Sequence, residues 1–314
     1  MSSENKLLEL TEMFEIQRKF TEKLFAEKYG KSLNDLTHED RIKWSKEYIL
    51  SGAKEMFEML DELNWKTHRY LNKHDNMDNF IEEGIDAFKF LLNLFIINGY
   101  GPDKFYEKFL EKSIVVDIRY EQEKQLKEIR KTEKQYVVID IDGVLNTYPA
   151  NVIDYFNTQG EKVTDLMKFK FTETQRYKQL KYQYRITGQE RNCTVNRDAL
   201  DFIRRVKEQG YGIILLTARP YNKMTRLFFD TVNWLQDNEI KFDFLFFAND
   251  KEKYLLDNFD IKNIKLVVDD QIENVNKLAD YFVTYLLYNP QLYNDTSRVS
   301  KKVKIIHTLK DIVL

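Results

Sequence analysis

The chain has 314 residues, of which 43% are hydrophobic and 32% are charged, and its formal net charge is -2. This length allows two domains with apolar cores, and the balanced charge excludes an overall field that would attract nucleic acid or an anionic membrane. The single cysteine excludes an internal disulfide, and no stretch has the pattern of a signal peptide or a membrane span. We therefore expect a cytoplasmic protein.

Apolar residues recur at helical spacing through the first third of the chain. Residues 4–28, 40–64 and 79–98 each show this period, and a break rich in glycine follows before another short helix. No convincing strand pattern interrupts these segments. We therefore predict an all-α domain over residues 1–118.

Two acidic pairs lie at a spacing of three residues on these helices. Glu55 and Glu58 share one face of their helix, and Glu83 and Asp86 repeat the spacing on the later helix. If the two helices pack antiparallel, four carboxylates converge in one groove, where they cannot all stay ionised without cations. Oxygen ligands of this kind favour Mg²⁺ together with a triphosphate. The alternative is that each pair belongs to a solvated helix face.

The surroundings of these pairs resemble the all-α nucleotide pyrophosphohydrolases, in particular the dimeric dUTPases and their phage relatives. That family shows Glu-x-x-Glu, then Trp-Lys about two turns later, then Glu-x-x-Asp, and Trp65 and Lys66 match the middle motif. The resemblance covers about residues 5–120. It implies that the four acids bind Mg²⁺ and that Glu58 helps to deprotonate a water that attacks the α-phosphorus. Pyrophosphate and a nucleoside monophosphate would be released.

The same resemblance implies a set of substrate-binding residues. These are Gln17 and Trp65 at the base, Lys66 and Arg69 at the phosphates, and Lys112 and Arg119 in the family's later motif. Both asparagines of that later motif are absent here, so the sequence leaves undecided whether dUTP or a close pyrimidine analogue is preferred over other deoxynucleotides. The helices also carry more large apolar residues than a small unit can bury, and the family's members are dimers or larger. We therefore expect a homo-oligomer formed through the N-terminal helices.

Residues 119–135 are highly charged and have few apolar positions. Glu123 and Lys127 stand four residues apart, a spacing that supports an isolated helix. We predict a solvated helical linker here, so that a second domain covers residues 136–314.

Strand and helix patterns alternate beyond the linker, as in a parallel sheet with helices on both faces. The predicted strands are 136–142, 212–218, 242–248, 264–270 and 281–288, with helices at 197–209 and 221–236. Residues 150–195 fit neither neighbour, because aromatic side chains lie among lysines and arginines there. Such side chains suit the base and phosphate of a nucleotide, and the alternative is that the aromatic rings pack the segment itself.

Polar residues end three of the predicted strands. The first ends in Asp140 and Asp142, the second in Thr217, and a later one in Asp269 and Asp270. An open α/β sheet places its chemistry at the carboxyl ends of its strands. Two carboxylates one residue apart can hold Mg²⁺ and attack a phosphoryl group. The alternative is that these residues cap the following helices. Capping could account for the polar end of one strand, but it accounts less well for three such ends in this order.

With a lysine between the last two of these strands, this series resembles the haloacid dehalogenase superfamily of phosphohydrolases. That signature is Asp-x-Asp, then Thr or Ser, then Lys, then an acidic pair, and the resemblance covers roughly residues 134–314. It implies an α/β fold whose insertion at 150–195 forms a small cap. Lys251 is the favoured lysine because Tyr254 and Leu255 follow at helical spacing, and Lys253 is the alternative.

The resemblance also implies roles for the strand-end residues. Asp140 would be the nucleophile and Asp142 the acid and base, while Thr217 and the lysine would bind phosphoryl oxygens. Mg²⁺ would be held by Asp140, by the main-chain oxygen of Asp142 and by Asp269 or Asp270.

Together the two halves predict a bifunctional nucleotide hydrolase with Mg²⁺ in both sites. The first site would convert a deoxynucleoside triphosphate to a monophosphate, and the second would remove the remaining phosphate. The alternative is a polynucleotide end phosphatase whose helical domain serves for docking. The balanced charge argues against nucleic acid as a partner.

Overall fold

The computed structural model describes residues 3–65, 75–293 and 296–314, with the side chains of residues 3–8 left aside. The chain divides into two compact units, Met1–Ser113 and Ile114–Leu314. None of the helices in these described ranges combines the length and hydropathy of a membrane span.

The first unit is entirely helical in its described part. Its helices are α1 (Ser3–Tyr29), α2 (His38–Asp61) and α3 (Met77–Ile97), a short 3-10 helix covers Leu33–Asp35, and α4 (Pro102–Ile129) begins within it. Helix α2 begins with a capping box, in which the Thr37 hydroxyl accepts from the Asp40 N–H and the Asp40 carboxylate accepts from the Thr37 N–H. Buried side chains of α1, α2 and α3, among them Phe14, Tyr48 and Ile96, form the core.

Helix α4 crosses the boundary that the sequence places at residue 118. It continues without a break to Ile129, and its later half packs into the second unit rather than standing in solvent as a linker. Val115 and Ile118 are buried in one core of the sheet, and Ile129 is buried in the other. The apolar stripe of this helix is narrow, so the charges on its other faces hide it in the sequence.

The second unit is built on a parallel sheet of six strands. These are β1 (Tyr136–Ile139), β2 (Gly212–Thr217), β3 (Phe244–Phe247), β4 (Ile264–Asp269), β5 (Thr284–Leu287) and β6 (Lys304–Ile306). Their order is β3-β2-β1-β4-β5-β6, and every pair is parallel. The first four strands lie close to their predicted positions, β5 covers the later half of 281–288, and the short strand β6 was not predicted. The predicted fold class, an all-α unit followed by a parallel α/β unit, is confirmed.

Helices cover both faces of this sheet, and an insertion follows β1. The helices are α5 (Ala150–Thr158), α6 (Leu166–Thr172), α7 (Thr174–Ile186), α8 (Ala199–Glu208), α9 (Arg226–Asp237), α10 (Lys251–Asn258) and α11 (Ile272–Leu278), with 3-10 turns at Gln189–Asn192, Ile261–Asn263 and Leu309–Asp311. Helices α5, α6 and α7 form the inserted cap, which has its own small core around Phe156 and Leu180. Strand β1 lies between β2 and β4, where the strand order reverses. Ligands of open α/β sheets bind at this point, beyond the carboxyl ends of the strands.

Candidate active site

Three strand ends meet at the carboxyl edge of the sheet. The register pairs Ile139 of β1 with Leu215 of β2 and with Val268 of β4, so the residues that follow lie side by side. The Asp140 N–H donates to the Val268 carbonyl at 3.0 Å, which extends this alignment by one residue. The site therefore contains the strand-end residues that the sequence singles out: Asp140, Asp142, Thr217, Asp269 and Asp270.

Lys251 completes this set, and Lys253 lies outside it. Lys251 is 3% exposed in its side chain, and its Nζ lies 2.8 Å from Asp140 Oδ1 and 2.6 Å from Asp269 Oδ2. Lys253 is exposed and pairs with Asp257. Lys251 is the first residue of α10, which begins after the Asp250 cap, and Lys253, two residues later, lies on the opposite side of the helix.

The carboxylates of this site suit a divalent cation. Oxygens of Asp140, Asp269 and Asp270 lie within 4.8 Å of one another. Asp270 Oδ2 is buried and has no hydrogen-bond partner in the described part of the chain. A buried carboxylate oxygen without a partner is costly, and Mg²⁺ is a hard cation that takes oxygen ligands. The donor set therefore fits the predicted Mg²⁺.

Burial and mutual repulsion perturb these acids. Burial raises the pKa of Asp140 to about 7, although Lys251 opposes the shift and Asp269 adds to it. Burial also raises the pKa of Asp270 well above its usual range, and the charges of Asp140 and Asp269 strengthen this effect. Both shifts express the cost of keeping several carboxylates ionised in one buried site, a cost that a bound cation would remove.

Asp142 forms an ion pair with an arginine that was not predicted from the sequence. Arg219 Nε donates to Asp142 Oδ2 at 2.9 Å, and a second guanidinium nitrogen donates to Oδ1 at 2.5 Å. Asn146 Nδ2 also donates to Oδ1, at 2.8 Å. Burial alone would raise the pKa of Asp142, but the Arg219 guanidinium holds it well below its usual range. The feature of the sequence that could have identified Arg219 is its position, two residues after the strand-end Thr217.

The site opens into a cavity of about 290 Å³ beneath the inserted cap. The cap side of its wall contains Tyr148, Tyr177, Lys181 and Arg185. Most aromatic residues of the insertion pack its own core, as the alternative interpretation holds, but Tyr177 lies both against that core and at the cavity. Residues 150–195 thus contribute basic and aromatic side chains to the cavity wall.

The acidic pairs of the helical unit converge in part. Carboxylate oxygens of Glu55, Glu58 and Glu83 lie within 4.8 Å of one another between α2 and α3. Asp86 is not in this group; it is exposed, and Lys89 Nζ lies 3.1 Å from its Oδ1. The expectation of four convergent carboxylates is thus corrected to three, because the Asp86 carboxylate pairs with Lys89 instead of joining the group.

Glu55 and Glu58 of this three-residue group and the adjacent Lys54 shift one another's pKa values. Desolvation and the neighbouring Glu58 and Glu83 raise the pKa of Glu55. Lys54 Nζ lies 2.5 Å from Glu58 Oε1 and lowers the pKa of Glu58. The Lys54 ammonium thus already neutralises the Glu58 carboxylate.

The other predicted substrate-binding residues of the first half are dispersed. Gln17 is buried, and its Nε2 donates to Asn93 Oδ1 at 2.9 Å, about 15 Å along α3 from Glu83. Trp65 is 46% exposed just beyond α2. Lys112 and Arg119 are exposed on α4. Two further predicted phosphate contacts, Lys66 and Arg69, lie outside the described residues.

Comparison with known proteins gives similarity in fold. No protein-family model matches the sequence, and no curated protein matches it. The D,D-heptose 1,7-bisphosphate phosphatase from Burkholderia thailandensis is 15% identical, with a TM-score of 0.37, over 56% of this chain and 94% of that one. A predicted phosphatase from Clostridium acetobutylicum is 13% identical, with a TM-score of 0.42, over 55% and 94%. A haloacid dehalogenase-like family hydrolase from Xanthomonas campestris is 12% identical, with a TM-score of 0.37, over 56% and 91%.

At these identities and TM-scores the comparisons carry no information about substrate or mechanism. Any function must therefore be argued from the residues of the site.

Proposed function

We propose that the second unit is a Mg²⁺-dependent phosphatase that acts through an aspartyl-phosphate on Asp140. The observation that supports this most directly is the position of the Asp140 carboxylate. It lies at the carboxyl end of the central strand, 2.8 Å from the buried Lys251 ammonium and beside Thr217. A nucleophile, a cation and a hydroxyl donor thus meet at the place where a phosphoryl group can bind.

The reaction has two steps. In the first, an Asp140 oxygen forms a bond to phosphorus, the ester bond breaks, and Asp142 gives a proton to the leaving oxygen. In the second, Asp142 takes a proton from a water that attacks the aspartyl-phosphate, which releases orthophosphate and restores Asp140. Lys251 and Thr217 hold the phosphoryl oxygens throughout.

Mg²⁺ would be held by Asp140, Asp269 and Asp270, together with the main-chain oxygen of Asp142, and would neutralise charge on the phosphoryl oxygens. The Arg219 pairing favours the carboxylate form of Asp142, which suits the second step. Protonation of the leaving oxygen requires a proton on Asp142, so this pairing has to weaken when substrate enters.

The test of this mechanism is Asp140→Asn in the full chain. Phosphate release from nucleoside monophosphates should fall to background, and beryllium fluoride with Mg²⁺ should bind the wild type as a phosphoryl mimic. Asp260→Asn is a suitable control because Asp260 is exposed and its ion pair, with Lys262, is long. Full phosphatase activity in Asp140→Asn would refute the proposal.

For the first unit, we propose hydrolysis of a deoxynucleoside triphosphate to a monophosphate and pyrophosphate. Support comes from the three carboxylates that converge between α2 and α3. With Mg²⁺ bound, they would hold the triphosphate, and Glu58 would help to deprotonate the attacking water. Since the second unit would then act on the monophosphate, the two sites would work in sequence.

A panel of dNTPs and NTPs with Mg²⁺, read separately for pyrophosphate and orthophosphate, tests this step. Glu58→Gln should abolish pyrophosphate release and leave the phosphatase intact, whereas Glu82→Gln, one residue from Glu83 but exposed, should change neither. Pyrophosphate release at the wild-type rate in Glu58→Gln would exclude the assignment. Equal turnover of purine and pyrimidine triphosphates would exclude a preference for dUTP.

A further inference from the structure

The cap side of the active-site cavity is unusually cationic. Lys181 and Arg185, one turn apart on α7, both line it. The Lys181 side chain is only 12% exposed, and its Nζ lies 5.2 Å from the ring centre of Tyr148. Burial lowers the pKa of Lys181, so an anion beside it would stabilise its ammonium form. Lys181 is therefore a largely buried part of the cavity wall, while the Arg185 side chain is 30% exposed.

The nearby carboxylates do not balance these cations. Lys181 Nζ and Arg185 Nε approach the same oxygen, Glu190 Oε1, at 3.5 and 3.8 Å. The other oxygen of Glu190 lies 3.6 Å from Arg219, whose charge Asp142 already neutralises. One buried carboxylate therefore serves two cap cations, and this end of the cavity keeps an excess positive charge.

One cap donor also lacks a hydrogen bond. Arg185 Nε is buried, and at 3.8 Å from Glu190 Oε1 it makes no hydrogen bond within the described ranges. Native structures rarely leave a buried charged donor without a hydrogen bond, because the loss of water is then only partly compensated. Of the other acids in the cavity wall, Asp140 and Asp270 belong to the carboxylate group at the strand ends, and Glu273 lies near the exposed Arg298, whose guanidinium is 3.5 Å away. The cap therefore has positive charge and a hydrogen-bond donor that an additional anion would satisfy.

We propose that the preferred substrate of this site is a small bisphosphorylated molecule, whose leaving group carries a second phosphate that binds Lys181 and Arg185. This inference rests on the proposed phosphatase function, and it makes the monophosphate released by the first unit a weaker substrate of the same site. The phosphoryl group that is transferred already has Lys251 and Thr217, so the excess charge of the cap cations would act on the leaving group. The rings of Tyr148 and Tyr177 would flank its organic part.

The size of the cavity favours a small molecule. Its volume of about 290 Å³ is just below the range of small-molecule sites, which is roughly 300–1,000 Å³. A single nucleoside carrying two phosphates is therefore the kind of ligand to test first, ahead of a nucleic-acid strand.

The experiment compares kcat/KM for a nucleoside 3′,5′-bisphosphate with the values for the 3′- and 5′-monophosphates of the same nucleoside. We expect the wild type to prefer the bisphosphate by about 10- to 100-fold, the effect of a charge-assisted hydrogen bond. Lys181→Met and Arg185→Met should each reduce this preference about tenfold or more. Lys178→Met, an exposed lysine of the same helix, should keep it. If Lys181→Met does not fold, Arg185→Met, at a side chain that is 30% exposed, carries the test, and the wild-type ratio stands by itself.

The outcomes separate this inference from the proposed function. Equal turnover of bisphosphate and monophosphates, with activity still lost in Asp140→Asn, would overturn the second-phosphate site alone. A preference for phosphorylated oligonucleotide ends over the bisphosphate would overturn the small-molecule assignment and favour an end phosphatase. No phosphate release from any ester would overturn the phosphatase itself.

Discussion

Two lysines of α10 differ in burial, and this difference separates a site residue from a surface residue. In Lys251→Met, Asp140 and Asp269 would lose their shared buried cation. We expect phosphatase activity to fall by about 100-fold or more and the free energy of unfolding to fall by about 3–5 kcal/mol. Phosphate release and urea unfolding measure the two effects.

The matched control for this change is Lys253→Met. Lys253 is exposed and pairs only with Asp257 on the helix surface, so both quantities should stay near wild type. A fully active Lys251→Met would remove Lys251 from the site.

Gly143 lies where the backbone passes directly against Asp270. Its φ is +81°, and a Cβ there would lie 2.0 Å from Asp270 Oδ2. We expect Gly143→Ala to displace Asp270 and to lower kcat about tenfold or more, since a small misplacement in a catalytic site is costly.

Gly210→Ala provides the comparison for backbone strain alone. Gly210 has a φ of +80°, and nothing lies within 4 Å of a Cβ built there. Gly210→Ala should lower the free energy of unfolding by about 1–2 kcal/mol and leave the activity unchanged. Equal activity in the two variants would show that the contact with Asp270 is unimportant.

At the scale of elements, α4 contributes to the stability of the second unit. Ile129 is buried with Tyr136 and Val138 against one face of the sheet. Ile129→Ala should lower the free energy of unfolding by about 2–4 kcal/mol, the usual cost of a cavity left by a large aliphatic side chain. Urea unfolding with phosphatase activity as the readout reports on this unit.

The control on the same helix is Val116→Ala, because Val116 is 52% exposed. It should change stability by less than about 0.5 kcal/mol. If Ile129→Ala changes the free energy of unfolding as little as Val116→Ala does, the residues after the predicted boundary at 118 form a linker.

At the scale of the molecule, the helical unit exposes an apolar surface that we expect a second copy of the chain to cover. On α2 and α3 these side chains are between 50% and 70% exposed: Ile49, Leu50, Met56, Phe57, Ile81 and Ile85. Apolar side chains clustered in this way mark association sites more often than free surface. Light scattering at micromolar concentration should give a dimer or a larger oligomer.

Leu50→Glu should shift this equilibrium toward the monomer, because the charge would be buried in the contact. Leu200→Glu makes the same change at an exposed leucine of α8 in the other unit and should leave the mass unchanged. A monomeric wild type would rule out self-association.

The sequence by itself determined the fold class, because helical and strand periods are properties of neighbouring residues. It also placed Asp140, Thr217 and Asp269 at one edge, since the carboxyl ends of parallel strands share an edge whatever the details of packing. The acidic helix pairs were visible for the same reason: residues three apart lie near one another on any helix.

Only the tertiary structure decided which side chains meet across long separations in the chain. Arg219 pairs with Asp142, 77 residues earlier, and Glu190 lies near cations from both the cap and the sheet. Lys251 rather than Lys253 enters the site because of where α10 begins. The apolar stripe of α4 became recognisable only against the sheet that it covers. Such pairings depend on burial and on the direction of each side chain, and these are set by the packing of distant elements rather than by local pattern.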